Sequence, residues 1–194
     1  VYISWDKGSN WTRINNNLPP SSVRDLRLQA TYGDLVVGTH GRGVWILDDI
    51  RGMRELGQAK GKAVHLFDAR PATRWHIYGR HENLGQRTWT GANPEYGAYI
   101  NFYLENDVDE AVKVSIKDAT GNVVKTMSDT TASAGVNRIV WNLRGEGPSP
   151  LRGGTTRRFR RGASGTMVVP GTYTAELTAA GQTLSTTIEV QADP

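Results

Sequence analysis

Apolar and polar side chains alternate with a period of two along nearly the whole chain, in short runs that end at glycine or at a cluster of polar residues. That alternation is the signature of half-buried β-strands, and the 3.6-residue spacing of an amphipathic helix is scarce. An early group comprises VRDLRLQA, with Val23, Leu26 and Leu28, then LVVGT from Leu35 and VWILD from Val44. From residue 98 the alternation is cleaner. Ile100, Phe102 and Leu104 share one face of YINFYL, and Val112, Val114 and Ile116 share one face of VKVSIKD, with Lys113, Ser115 and Lys117 opposite. Ile139, Trp141 and Leu143 fall together in VNRIVWNL, as do Tyr173, Ala175 and Leu177 in PGTYTAEL. Each strand is therefore expected to turn one side to a core and the other to water, with Trp141 as the core anchor. Gly121-Asn122 and Ala180-Gly181 mark hairpin turns.

The expected fold is all-β, in three parts. Residues 1–50 supply one group of strands, residues 51–95 a structured linker, and residues 96–194 an antiparallel sandwich of about 95 residues, the size of an immunoglobulin-like module. In the linker, RGMRELGQAKGK is expected to form one short helical turn before a strand at VHLF. The rest is rich in Arg, Gly, Asn and aromatic residues, as an ordered, polar-surfaced loop would be. A length of 194 residues is enough for two small cores. No apolar run approaches the roughly 20 residues of a bilayer span, so no membrane partner is expected. The chain has no cysteine, which excludes disulfides and thiolate metal sites. It opens inside a strand without an initiator Met, as a piece of something longer would.

The run SWDKGSNW has its own local physics. Asp6 can accept hydrogen bonds from the N–H groups of its turn, Ser4 supports that turn, Gly8 supplies a positive φ, and Trp11 begins the return strand as a large apolar anchor. This is turn chemistry rather than catalysis. His40-Gly41-Arg42-Gly43 imitates a phosphate loop, but such a loop needs a helix N-terminus behind it, and VWILDD continues as strand. A tight hairpin is expected there. Asp48 and Asp49 are adjacent carboxylates, yet strand neighbours point to opposite faces, so Asp49 is expected to cap or turn.

His40, His65, His76 and His81 lack the i, i+2 or i, i+4 spacing of a zinc site, and the acidic run ENDVDE reads as a charged hairpin tip. Neither a metal nor a cofactor is expected. Asn10-Trp11-Thr12 fits a glycosylation sequon, relevant only in a eukaryotic secretory host. The net charge is +4 and the pI ≈ 9.5, a mild excess of cations that is concentrated once. Arg157, Arg158, Arg160 and Arg161 flank Phe159 in a loop rich in Gly, Thr and Ser, which could neutralise phosphates. No recognised binding module surrounds them, so nucleic acid is not the expected partner.

SWDKGSNW, LVVGTHGRGVWILDDI and LFDARPATR together resemble the closing part of the sortilin-like, Asp-box propellers of large bacterial proteins labelled glycosyl hydrolase or BNR-repeat proteins. YINFYL, IKDATGNVVKT, GVNRIVWNLRGEG and VVPGTYTAEL resemble the C-terminal sandwich of the same proteins, itself similar to the Ig-like modules of flagellar hook-capping and cell-surface sorting proteins. The resemblance spans essentially the whole chain. Asn10 departs from it, standing where the box usually carries Thr or Ser.

The resemblance implies terminal β-propeller blade strands followed by an Ig-like sandwich, in a secreted, periplasmic or cell-surface bacterial protein. Sialidase-type chemistry would need an arginine cluster, a Tyr nucleophile with an acidic partner and an Asp acid, brought together from several blades. One or two blades cannot supply these, so no catalytic residue is expected. The leading expectation is a non-catalytic accessory module that closes or tethers a propeller. Its partners would be the remaining blades or another copy of the chain, and its surface would meet a protein or glycan. Trp75, Tyr78, Trp89 and Tyr96 are the aromatic contact candidates, with packing within the protein as their ordinary alternative. A second class is a glycoside hydrolase to which this chain contributes substrate-side loops through His40 or Arg42. A third is a polyanion binder acting through the arginine loop.

Overall fold

The computed structural model describes residues 1–76, 93–147 and 165–194 of the chain. Among these residues strands predominate, with one short helix, and the backbone divides into two compact units, Val1–Lys62 and Ala63–Pro194.

In the first unit, two short strands, β1 (Tyr2–Ile3) and β2 (Thr12–Arg13), pair antiparallel, Tyr2 against Arg13 and Ile3 against Thr12. A meander follows: β3 (Val23–Gln29), β4 (Asp34–Thr39) and β5 (Val44–Leu47), antiparallel in that order. The HGRG segment is the β4–β5 hairpin loop. Thr39 donates to the Gly43 carbonyl from its N–H at 3.1 Å and from its hydroxyl at 2.7 Å, while Gly41 and Gly43 sit at φ +79° and +73°. The register places Leu26, Leu28, Leu35, Val37, Trp45 and Leu47 on one face and Arg27, Val36, Val44 and Ile46 on the other. Val37 is buried, whereas Leu26, Leu28, Val44 and Ile46 are exposed.

The expected single helical turn is in fact a nine-residue helix, α1 (Arg51–Ala59). Glycines at positions 52 and 57, a first turn without acidic residues and an N-cap without a side-chain bond hide it from a propensity reading. Packing supplies what propensity lacks. Gly52 and Ala59 are buried, Ile50 N–H reaches the Gly33 carbonyl at 2.8 Å, and the Trp5 indole donates to the Met53 carbonyl at 2.6 Å.

Among the described residues, the second unit has eight strands: β6 (Val64–Leu66), β7 (Ala72–Thr73), β8 (Ala98–Leu104), β9 (Val112–Lys117), β10 (Val123–Asp129), β11 (Gly135–Trp141), β12 (Gly171–Ala179) and β13 (Gln182–Gln191). One sheet runs β10-β9-β12-β13-β7 and the other β11-β8-β6, all neighbours antiparallel except β7 with β13. The segment expected as linker thus contributes β6 to one sheet and β7 to the other, and the division between units falls after Lys62. Inward residues of both sheets form one core, including Ile100, Phe102, Leu104, Val114, Ile116, Trp141, Leu177 and Ile188. Trp141 lies at its centre, edge-on to Tyr173 with ring centroids 5.2 Å apart. Ala180 and Gly181, at φ +48° and +70°, close the two-residue β12–β13 hairpin.

One expectation fails at β8. Its second face is not turned to water, because Tyr99 and Asn101 are buried as well. The guanidinium groups of Arg70 and Arg138 stack on the Tyr99 ring at 4.5 and 4.3 Å, and Arg138 Nε donates to Asn101 Oδ1 at 2.8 Å. Arginine stems and aromatic rings cover this face as effectively as aliphatic side chains would.

Candidate functional site

The turn between β1 and β2 is built around one carboxylate. Asp6 Oδ1 accepts the Ser4 hydroxyl at 2.9 Å and the Asn10 N–H at 2.8 Å, and Oδ2 accepts the Asn10 amide at 2.6 Å. Ser4 Oγ in turn accepts Gly8 N–H at 2.7 Å, and Gly8 has φ +94°. These bonds, the Asn10 N–H first, hold the Asp6 carboxyl below its usual pKa. Trp11 departs from expectation. Its side chain is 63% exposed, its indole donates to the Gly8 carbonyl at 2.9 Å, and it closes the turn rather than anchoring a core.

His40 and Arg42 are exposed on the β4–β5 loop, whose main chain is pinned by Ser21 Oγ to His40 O at 2.9 Å and Trp45 Nε1 to Arg42 O at 2.9 Å. Asp48 and Asp49 lie beyond the end of β5, so they are not strand neighbours. Asp49 is buried at φ +51°. Its N–H bonds to Asp34 Oδ1 at 2.9 Å, and its Oδ1 accepts Arg51 Nε at 3.0 Å. It turns the chain into α1, for which Ile50 is the N-cap.

In the second unit, β7, β8, β11 and β13 bring one group of side chains to one end of the sandwich. Trp75 is exposed just beyond β7, and Tyr96 stands just before β8. His76 holds Asp193 twice, through its N–H at 2.9 Å and Nδ1 at 3.0 Å, which keeps the Asp193 carboxyl below its usual pKa. The Tyr96 hydroxyl and Arg74 Nε are buried there, with no partner in good hydrogen-bond geometry among the described residues. Burial raises the Tyr96 pKa, with the Trp75 main chain, Arg74 and Arg144 opposing the rise. Tyr78, His81, Trp89 and the residues Arg157, Arg158, Phe159, Arg160 and Arg161 lie outside the described residues. His65 stacks edge-on to Phe67 at 5.0 Å. In the acidic run, Glu105 accepts the Tyr103 hydroxyl and Asp107 accepts Ala134 N–H. Among the described residues, no three His, Cys, Asp or Glu side chains gather as metal ligands, and no helix is long and apolar enough to cross a membrane.

Two arrangements escaped the sequence reading. One is the Arg70–Tyr99–Arg138 layer, signalled only by polar residues at 99 and 101 inside a strand otherwise rich in large apolar residues. The other is the approach of Lys60 to the Trp5 ring, 5.0 Å from its centroid, which depends on α1.

The two-sheet core, its hairpins and the buried Trp141 accord with one family comparison. Residues 87–155 match the FlgD Ig-like domain. The Ig-like match includes β8 to β11 and stops before β12 and β13. No curated protein and no solved structure matches the chain.

Proposed function

We propose that this chain is a non-catalytic accessory module of a secreted Asp-box propeller protein, in which the opening strands are terminal blade strands and the Ig-like unit is a tether or contact domain. The carrying observation is the open sheet of the first unit. Leu26, Leu28, Val44 and Ile46 are 45%, 49%, 68% and 58% exposed, and they lie on both faces of one three-stranded sheet. A sheet with apolar side chains on both faces is one that packs between two neighbours, as a propeller blade does. Its edges differ too. β3 carries Arg24, Asp25, Arg27 and a register shift that blunt it, while β5 is wholly apolar. The hydrogen-bonded turn around Asp6 supports the same reading, since each anchor of the box pattern has a structural task there.

The remaining blades are the partners this reading calls for, and a glycan or protein the ligand. Two measurements test it. The reading frame upstream of Val1 in the parent gene is expected to encode further Ser/Thr-x-Asp-x-Gly-x-x-Trp boxes, and a frame without any would remove the propeller. The chain is also expected to show no turnover on a panel of oligosaccharides. Cleavage by the chain alone would replace the accessory reading with the hydrolase one.

A further inference from the structure

We propose that the groove between the β1–β2 turn and the end of α1 binds one hexose unit of a neutral glycan. Trp5, Asp6, Asn10, Thr12, Gly57 and Lys60 line a space of about 240 Å³, open to solvent, below the roughly 300–1,000 Å³ of sites that enclose drug-sized ligands and of a size for one sugar ring rather than a longer segment. The aromatic member is held in place. The Trp5 indole is bonded to the Met53 carbonyl at 2.6 Å, and its base lies against Gly57, where an added Cβ would stand 3.7 Å from Trp5 Cβ. Lys60 Nζ stands over one face of that indole, 5.0 Å from the ring centroid, so a sugar would meet the ammonium together with the exposed remainder of a ring that loses no freedom on binding.

The polar lining narrows the ligand class. Lys60 and the second Asn10 amide hydrogen donate, Asn10 Oδ1 and the outer lone pair of Asp6 Oδ2 accept, and the Thr12 hydroxyl does either. Sugar hydroxyls donate and accept at the same atom, so a mixed lining satisfies them. An anion would meet Asp6 and a cation would meet Lys60, and with one charge of each sign the groove favours neither. By contrast, the groove lined by Val1, Tyr2, Ile3, Ile14, Leu26, Leu35, Ile50 and Met53 is almost wholly aliphatic and suits packing. The proposal rests on the proposed function only in expecting a glycan. It stands if no further boxes precede Val1, because residues of Val1–Lys62 form the whole groove.

The test is an NMR titration of the ¹⁵N-labelled chain with methyl β-glucopyranoside and methyl β-galactopyranoside, with glucuronate as the acidic probe. Saturable movement of the Trp5 indole N–H by at least one neutral sugar is expected, with a dissociation constant on the order of millimolar. Thr12→Val and Lys60→Met change exposed side chains, and each should weaken binding by roughly fivefold while leaving the remaining spectrum in place. Absence of saturable shifts with both neutral sugars would overturn the site. Tighter binding of glucuronate would overturn the neutral class, and binding unaffected by both substitutions would place the sugar elsewhere.

Discussion

Gly97 shows how little room a single residue can have. It stands at φ +145°, and a Cβ there would lie 2.2 Å from the Trp141 carbonyl oxygen, which is backbone and cannot rotate away. Gly97→Ala should therefore cost about 3 kcal/mol or more in urea denaturation, from strain and from displacement of the strand that carries the core tryptophan. A loss below ~1 kcal/mol would contradict this geometry. Asp49 is the second such position, with its side chain 1% exposed against an Arg51 that is 30% exposed. Asp49→Ala should cost about 3 kcal/mol because it leaves the arginine without its carboxylate. Asp49→Asn keeps an acceptor and a residue tolerant of positive φ, so it should lose clearly less. Equal losses in the two variants would mean the charge contributes nothing. Asp6 was legible from sequence because its partners lie within four positions. Asp49 was legible only as a turn, since Asp34, fifteen positions away, meets it through the fold.

At the scale of elements, one hydrogen-bond pattern appears twice. Asp118 Oδ1 accepts Asn122 N–H at 2.9 Å and Oδ2 accepts the Asn122 amide at 3.2 Å, repeating the Asp6–Asn10 arrangement in the other unit. Both carboxyls are held below their usual pKa, Asp6 chiefly by the Asn10 N–H and Asp118 chiefly by the Thr120 hydroxyl. A depressed folded-state pKa adds stability that is complete above the unfolded carboxylate value, near pH 4, and disappears as pH falls through the folded value. Stability should therefore decline on acidification below about pH 4, and Asp6→Asn combined with Asp118→Asn should flatten that decline. An unchanged acid limb in the double variant would refute the assignment. Asn10→Thr restores the usual box residue and keeps the N–H bond while losing the amide bond. It should cost no more than about 1 kcal/mol at this exposed turn, read by urea denaturation. A larger loss would make the amide bond indispensable. The strands of the second unit were readable because alternation is imposed by the pleat itself. Helix α1 was not, because its stability comes from Trp5 and Gly33, which no local pattern reveals. The second buried face of β8 was hidden for a similar reason, since Arg70 and Arg138 reach it from other strands and loops.

For the whole molecule, the two units differ in what they bury. The second has a continuous two-sheet core around Trp141, while the buried side chains of the first include little beyond Val37, Asp49 and Ala59. Calorimetry of the chain should resolve two transitions, the first unit melting at the lower temperature. One calorimetric transition whose van't Hoff and calorimetric enthalpies agree would show the units to be a single cooperative body. The change from irregular to clean alternation leads to an expectation of three parts, whereas the structure has two compact units. The place of the division was not legible, because the strand expected at VHLF, β6, gives no local sign of the sheet it joins, and β7 is too short to carry a period. That arrangement has a consequence for synthesis on the ribosome. The middle strand of the larger sheet, β12, comes late in the chain, with β9 made long before it and β13 after it. The all-apolar inner face of β8 is therefore made well before β12 and β13, which complete the core around it, so the sandwich closes only when β12 has joined β9 and β13 has joined β12.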